Sequence, residues 1–123
     1  MGRITADKAY SIILDSVLIG HDDWVLGLSW APPVIVEGRK HQPLQLLSAS
    51  MDRSMIVWTH DDAEQLWTER ARVGDIGGNH LGFFGAAYAK TGRYILASGY
   101  NGAFHLWKQR VAGTKFPCVK VSY

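Results

Sequence analysis

An all-β fold follows from three observations on the 123-residue sequence. Apolar residues recur with a period of two, turn-forming residues separate the runs at short intervals, and no segment carries a helical stripe of useful length. "WVLGLSW" at 24–30 places Trp24, Leu26, Leu28 and Trp30 on one side of an extended chain, the pattern of a half-buried strand. The runs "YSIILDSVLI" (10–19), "LQLLSAS" (44–50), "SMIVW" (54–58) and "QLWTERARV" (65–73) read as further strands, as do "FFGAAYA" (83–89), "RYILASG" (93–99) and "AFHLW" (103–107). Asp52-Arg53, Asp61-Asp62, Thr91-Gly92 and Asn101-Gly102 mark the joints. The last pair suits a type I′ hairpin, whose two central residues both need positive φ.

"APPVIVEGRKHQP" (31–43) interrupts this rhythm, and its prolines and Gly38-Arg39-Lys40-His41 read as a surface loop. Loops carry binding residues more often than cores do, although a tolerated insertion is the plainer account.

Composition narrows the class. The chain is 47% hydrophobic, enough for one packed domain, and its 13 basic and 11 acidic residues leave a formal charge of only +2. Without a basic block there is no electrostatic footprint for nucleic acid. The single cysteine, Cys118, excludes an intrachain disulfide and suits a reducing compartment. Asp7, Lys8 and Asp15 break up the N-terminal apolar residues, so a signal peptide is not expected, and Ala6 stands where a myristoylation signal wants Ser or Thr. No apolar run reaches the roughly 18 residues of a membrane-spanning helix. The expectation is an intracellular protein, cytoplasmic or also nuclear, without membrane contact.

The sequence then repeats itself. "LLSASMDRSMIVW" (46–58) returns as "ILASGYNGAFHLW" (95–107), so a slide of 49 residues superposes Ser48 on Ala97, Asp52 on Asn101 and Trp58 on Trp107. Upstream of the long insert, Trp30 matches Tyr88 and Gly20-His21 matches Gly78-Asn79. Units of this length with four short strands are the blades of a β-propeller. "GHDDWVLGLSW", the Ser-Ala-Ser-x-Asp turn and the Trp closing the third strand resemble the WD-repeat family. That resemblance implies that His21, Ser48, Asp52 and Trp58 form one hydrogen-bonded chain. Indole only donates, hydroxyl and imidazole do both, and carboxylate only accepts, so such a chain ends correctly at both ends. His21 with Asp52 also suggests a general base and its orienting acid, but no nucleophile sits at a sensible matching position, and the structural role is preferred. In the second copy Asn79, Ala97 and Asn101 replace His, Ser and Asp while Trp107 remains. That blade is expected to rest on apolar packing of Phe84, Tyr88, Ile95, Leu106 and Trp107, with His80 facing a loop.

Within the family the stretches "GHDDWVLGLSW", "QPLQLLSASMDRSMIVW", "ARVGDIGGNHLGFFGAAY" and "GAFHLWKQ" resemble the WD-repeat scaffold subunits of the Elongator complex. "VGDIGGN" carries separate weight, because the repeat pattern does not require it. The resemblance implies a non-enzymatic scaffold that binds other Elongator subunits and supports modification of tRNA wobble uridines at the 5 position, touching tRNA only indirectly or weakly. The chemistry would belong to another chain: one cysteine cannot hold an iron–sulfur cluster, and no phosphate loop is present, so no cofactor is expected. The alternative is a WD-repeat protein-binding adaptor unrelated to tRNA.

The expected organisation is residues 1–19 as the last strand of a preceding blade with its linker, then a first blade at 20–73 carrying the insertion 31–43. A degenerate second blade follows at 74–109, and 110–123 is a tail unlike the family. Closed propellers need roughly four to eight blades. The expectation is therefore a piece of a longer protein, poorly stable alone. Two weaker signals remain. His21-Asp22-Asp23 and His60-Asp61-Asp62 offer nitrogen and oxygen donors, but consecutive residues at strand ends seldom converge on one ion, so no metal is expected. Arg39, Lys40, His41, Arg70, Arg72, Lys108 and Arg110 would make a basic rim for tRNA phosphates, although interleaved acids favour plain solvated charge.

Overall fold

The computed structural model of the chain describes residues 9–73, 82–100, 102–109 and 118–122. Alternating runs become strands: β1 (Val25–Trp30), β4 (Gln45–Ser50), β5 (Met55–Asp61) and β6 (Leu66–Val73) form one antiparallel sheet in that order. β7 (Phe83–Tyr88), β8 (Tyr94–Gly99), β9 (Phe104–Gln109) and β10 (Cys118–Ser122) form a second. The repeat holds at the level of register. Leu46 pairs with Trp58 as Ile95 pairs with Trp107, and Ser48 faces Ile56 as Ala97 faces His105.

Even the irregularities repeat. A bulge falls between Val25 and Gly27 in β1 and between Phe83 and Gly85 in β7, adding one residue to each strand and reversing its alternation. This bulge corrects the expected packing of the second sheet. Phe84 is the extra residue and points out, 60% exposed, while Phe83 turns inward and is fully buried.

The two sheets pack face to face. Leu47, Ala49, Met55, Val57 and Val73 of the first meet Phe83, Ile95, Ala97 and Trp107 of the second, with Tyr88 and Ala86 at the margin. β1 turns small residues toward β7: a side chain at Gly27 would lie 2.9 Å from the Ala86 nitrogen, and the Ser29 hydroxyl accepts the Tyr88 N–H at 3.1 Å. Trp24, Leu26, Leu28 and Trp30 are therefore not the inward set. Leu28 and Trp30 line the opposite side, 66 and 54% exposed, while Trp24 and Leu26, before and within the bulge, are 76 and 40% exposed.

Three further expectations change. Residues 9–20 contain no strand. The insertion at 31–43 is not an irregular loop but a two-stranded ribbon, β2 (Val34–Val36) with β3 (Arg39–His41), turning on Glu37 and Gly38 at φ 50° and 76°. The hairpin at Asn101-Gly102 closes over three residues rather than two, since the Gly99 N–H reaches the Ala103 carbonyl at 2.7 Å. Gly102 takes the left-handed position at φ 94°, and Arg53 occupies the equivalent place at φ 71°. Asn101 itself, like Asn79, His80, most of "VGDIGGN" and the 110–117 part of the tail, lies outside the described residues. Beyond that stretch, Cys118–Ser122 takes the place in the second sheet that β6 holds in the first.

Candidate functional site

The polar site is built on the β4–β5 hairpin. β4 alternation turns Ser48 to one face, β5 places Trp58 beside it, and the three-residue loop presents Asp52 above them. His21 arrives from the segment before β1. Gly20 lets it come close: a side chain there would sit 2.9 Å from the Trp58 ring and 3.1 Å from Ile56. The Gly-His pair is thus a contact requirement, one residue to clear the indole and the next to bond.

The four side chains form a relay. Trp58 Nε1–H donates to Ser48 Oγ at 2.9 Å, and the Ser48 hydroxyl donates to His21 Nε2 at 2.7 Å. His21 Nδ1–H donates to Asp52 Oδ2 at 2.9 Å. The carboxylate fixes this tautomer, because it can only accept. Asp52 also receives the Asp22 N–H at 3.0 Å and both the Ser54 N–H and hydroxyl, at 2.9 and 2.6 Å. Burial pushes the Asp52 carboxyl up, yet its hydrogen bonds outweigh that and hold it at about 2, with Ser54 the strongest partner.

Sequence reasoning saw no nucleophile to match the His21–Asp52 pair, but Ser48 stands in that place. The geometry is serine, imidazole and carboxylate in line. Ser48 is only 4% exposed, however, and its oxygen already accepts the indole N–H. An attacking oxygen needs room for a carbonyl and donors around it, and Ser48 has a tryptophan there instead.

Other contributors carried no clear signal in the sequence. Ser50, fully buried, donates to the Asp23 carbonyl and accepts the Asp52 N–H, tying the approach of β1 to the hairpin. Arg72 reaches the Gly20 carbonyl at 2.8 Å while paired with Glu69, whose hydrogen bond raises the guanidinium pKa further. Arg72 is therefore a clamp on the His21 segment rather than part of a basic rim. Three residues apart, Glu69 and Arg72 would lie on opposite faces of a regular strand, and the extra residue Arg70 in β6 brings them to one side.

The second blade is built differently. Ala97 has no hydroxyl to offer, and Trp107 instead packs its ring against Phe83 and His105, both at 5.8 Å between centroids. His105, 4% exposed, replaces Ile56 of the first blade and was not singled out from sequence. The His-Asp-Asp triplets serve turns. Asp61 accepts the Ala63 and Glu64 N–H groups, His60 bonds Asp62 at 2.8 Å, and Asp23 accepts the Trp24 N–H. Among the described residues no three His, Cys, Asp or Glu side chains gather as a metal site would require. Arg39, Lys40 and His41 lie exposed on the ribbon strand β3.

Paired four-stranded sheets of identical register, one holding a buried Trp–Ser–His–Asp relay, define WD-repeat propeller blades, and this chain carries two of them. No family model matches it. In sequence it is closely similar to Elongator complex protein 2. It is 48% identical to the rat protein over 99 residues, 51% to that of Dictyostelium discoideum over 102 and 42% to the human protein over 107. These matches take in 80, 81 and 87% of this chain but only 12, 11 and 13% of the relatives, so the chain spans about an eighth of their length.

Proposed function

We infer that the chain is a non-catalytic scaffold element of the Elongator complex, acting in the cytoplasm or also the nucleus, and that it supports tRNA wobble-uridine modification by holding partner subunits. The observation that carries this reading is the similarity to Elongator complex protein 2 over four fifths of the chain, in organisms as distant as rat and Dictyostelium discoideum. The relay supports the non-catalytic part. Every group in it is buried and bonded to another member, an arrangement that rigidifies a blade and leaves no free acid, base or nucleophile for a substrate. Contact with tRNA would be indirect or weak, through the ribbon cations at most.

The test is co-purification. Tagged chain expressed in cells should bring down the other Elongator subunits at a level above a scrambled-sequence control, and Trp58→Ala should abolish the capture by unfolding the blade. Recovery of unrelated proteins with no Elongator subunit would favour a general adaptor and overturn this reading.

A further inference from the structure

The ribbon β2–β3 projects from the blade with a pairing edge that nothing among the described residues covers, and we propose that it captures an extended, acidic and β-branched segment of a partner protein by strand addition. The ribbon is firmly rooted. Ala31 is buried, its N–H bonds the Gln45 carbonyl at 2.9 Å, and its own carbonyl accepts Gln42 Nε2 at 2.6 Å. Pro32 packs against the β7–β8 turn, where a side chain at Gly92 would lie 3.3 Å from it. Beyond this base the two strands pair only with each other, and all six of their residues are exposed.

Hairpin geometry says which backbone groups are free. A two-residue loop with both residues at positive φ makes Val36–Arg39 the first hydrogen-bonded pair, so Ile35–Lys40 is a non-bonded pair and Val34–His41 is bonded again. The N–H and C=O of Ile35 therefore point away from β3, toward open solvent.

The two edges differ in chemistry. β3 carries Arg39 and Lys40, the charges that normally protect an exposed edge. β2 carries Val34, Ile35 and Val36, with 38, 69 and 52% exposure and no charge, proline or bulge to deter pairing. An incoming strand on the β2 side meets apolar β-branched side chains directly. It lies about 10 Å from Arg39 and Lys40, two strand spacings and within a Debye length of them. A phosphate backbone would satisfy the cations but leave the valines and isoleucine unmatched. A peptide alternating β-branched and acidic residues sets its β-branched side chains beside Val34 and Val36 and its carboxylates on the face that carries Lys40, the partner of Ile35.

The inference rests on the chain being an assembly subunit, yet its test is separate from co-purification, so either can fail alone. The probe is a fluorescein-labelled octapeptide of alternating valine and glutamate, titrated with the full chain and followed by anisotropy. Binding should weaken as salt rises, and a valine–lysine octapeptide should bind at least about tenfold less tightly. Ile35→Pro removes the outward N–H and should reduce affinity about tenfold. N-methylation of the octapeptide at alternate amides should do the same without altering the protein, which covers the case in which the proline variant misfolds. Equal binding of the methylated peptide, or of the two charge types, would overturn the proposal. So would tight binding of oligouridylate that Ile35→Pro leaves unchanged, or a dimer that Ile35→Pro dissolves in the absence of peptide binding.

Discussion

At the scale of single residues, Ser48 is the hinge of the relay, because it alone both accepts from the indole and donates to the imidazole. Ser48→Ala would leave Trp58 Nε1–H and His21 Nε2 buried without their partner, an expected loss of about 1–3 kcal/mol, read as a lower urea midpoint. Asp52 makes the first blade sensitive to acid. Its folded pKa of about 2 lies below the ordinary 3.8, so its contribution is complete above the unfolded value and is lost as pH falls from 3.8 toward 2. Water still reaches part of the hairpin, which limits the effect to about 1–2 kcal/mol. The Asp52→Asn variant should unfold more easily at neutral pH and lose the extra fall in stability below about pH 4, as followed by tryptophan fluorescence across a pH series. The resemblance to the WD repeat made His21, Ser48, Asp52 and Trp58 legible in the sequence. Ser50, Ser54 and Arg72 were not, because their partners are backbone groups or carboxylates that only the folded hairpin brings near.

At the scale of elements, bulges and turns decide what alternation alone cannot. A strict period of two would send Phe84, Ala86 and Tyr88 inward together. One extra residue near the start of β7 exchanges Phe84 for Phe83 and seats the larger part of the interface. Just before that strand, Gly82 lies against the first blade at φ 114°, where an added side chain would stand 2.5 Å from the Met51 carbonyl oxygen. That neighbour is backbone and has no rotamer to change. Gly82→Ala should cost about 2 kcal/mol or more, while Gly102→Ala, at φ 94° with nothing within 4 Å, should lose only the roughly 1 kcal/mol of a left-handed backbone. Urea unfolding of the two variants side by side separates steric from conformational cost. Equal losses would mean that the blades do not meet at Met51 as described. β10 belongs at this scale too. Nothing in "FPCVKVSY" repeats β6, yet the edge of β9 accepts it, because strand pairing is made by the backbone and tolerates a wide range of side chains.

At the scale of the whole molecule, two blades bury one interface and leave the next one open. Leu28 and Trp30 of β1 stay exposed on the outer face, and Ile12, Ile13 and Leu14 stand in solvent before it. The chain by itself should therefore associate at micromolar concentration. Sedimentation velocity should show species heavier than a monomer, and Leu28→Lys with Trp30→Lys should shift the population toward monomer. A cooperative melt of a monomeric wild-type chain would contradict this. The all-β class and the two repeated blades were determined by the sequence, because period and turn chemistry are local properties, and the relay residues were legible through their likeness to the WD repeat. The tertiary structure alone decided which face of β1 is covered, which phenylalanine enters the core and that the insertion is a ribbon with a free edge. Each of those depends on what lies opposite, and a strand's own residues do not record whether a neighbour is there.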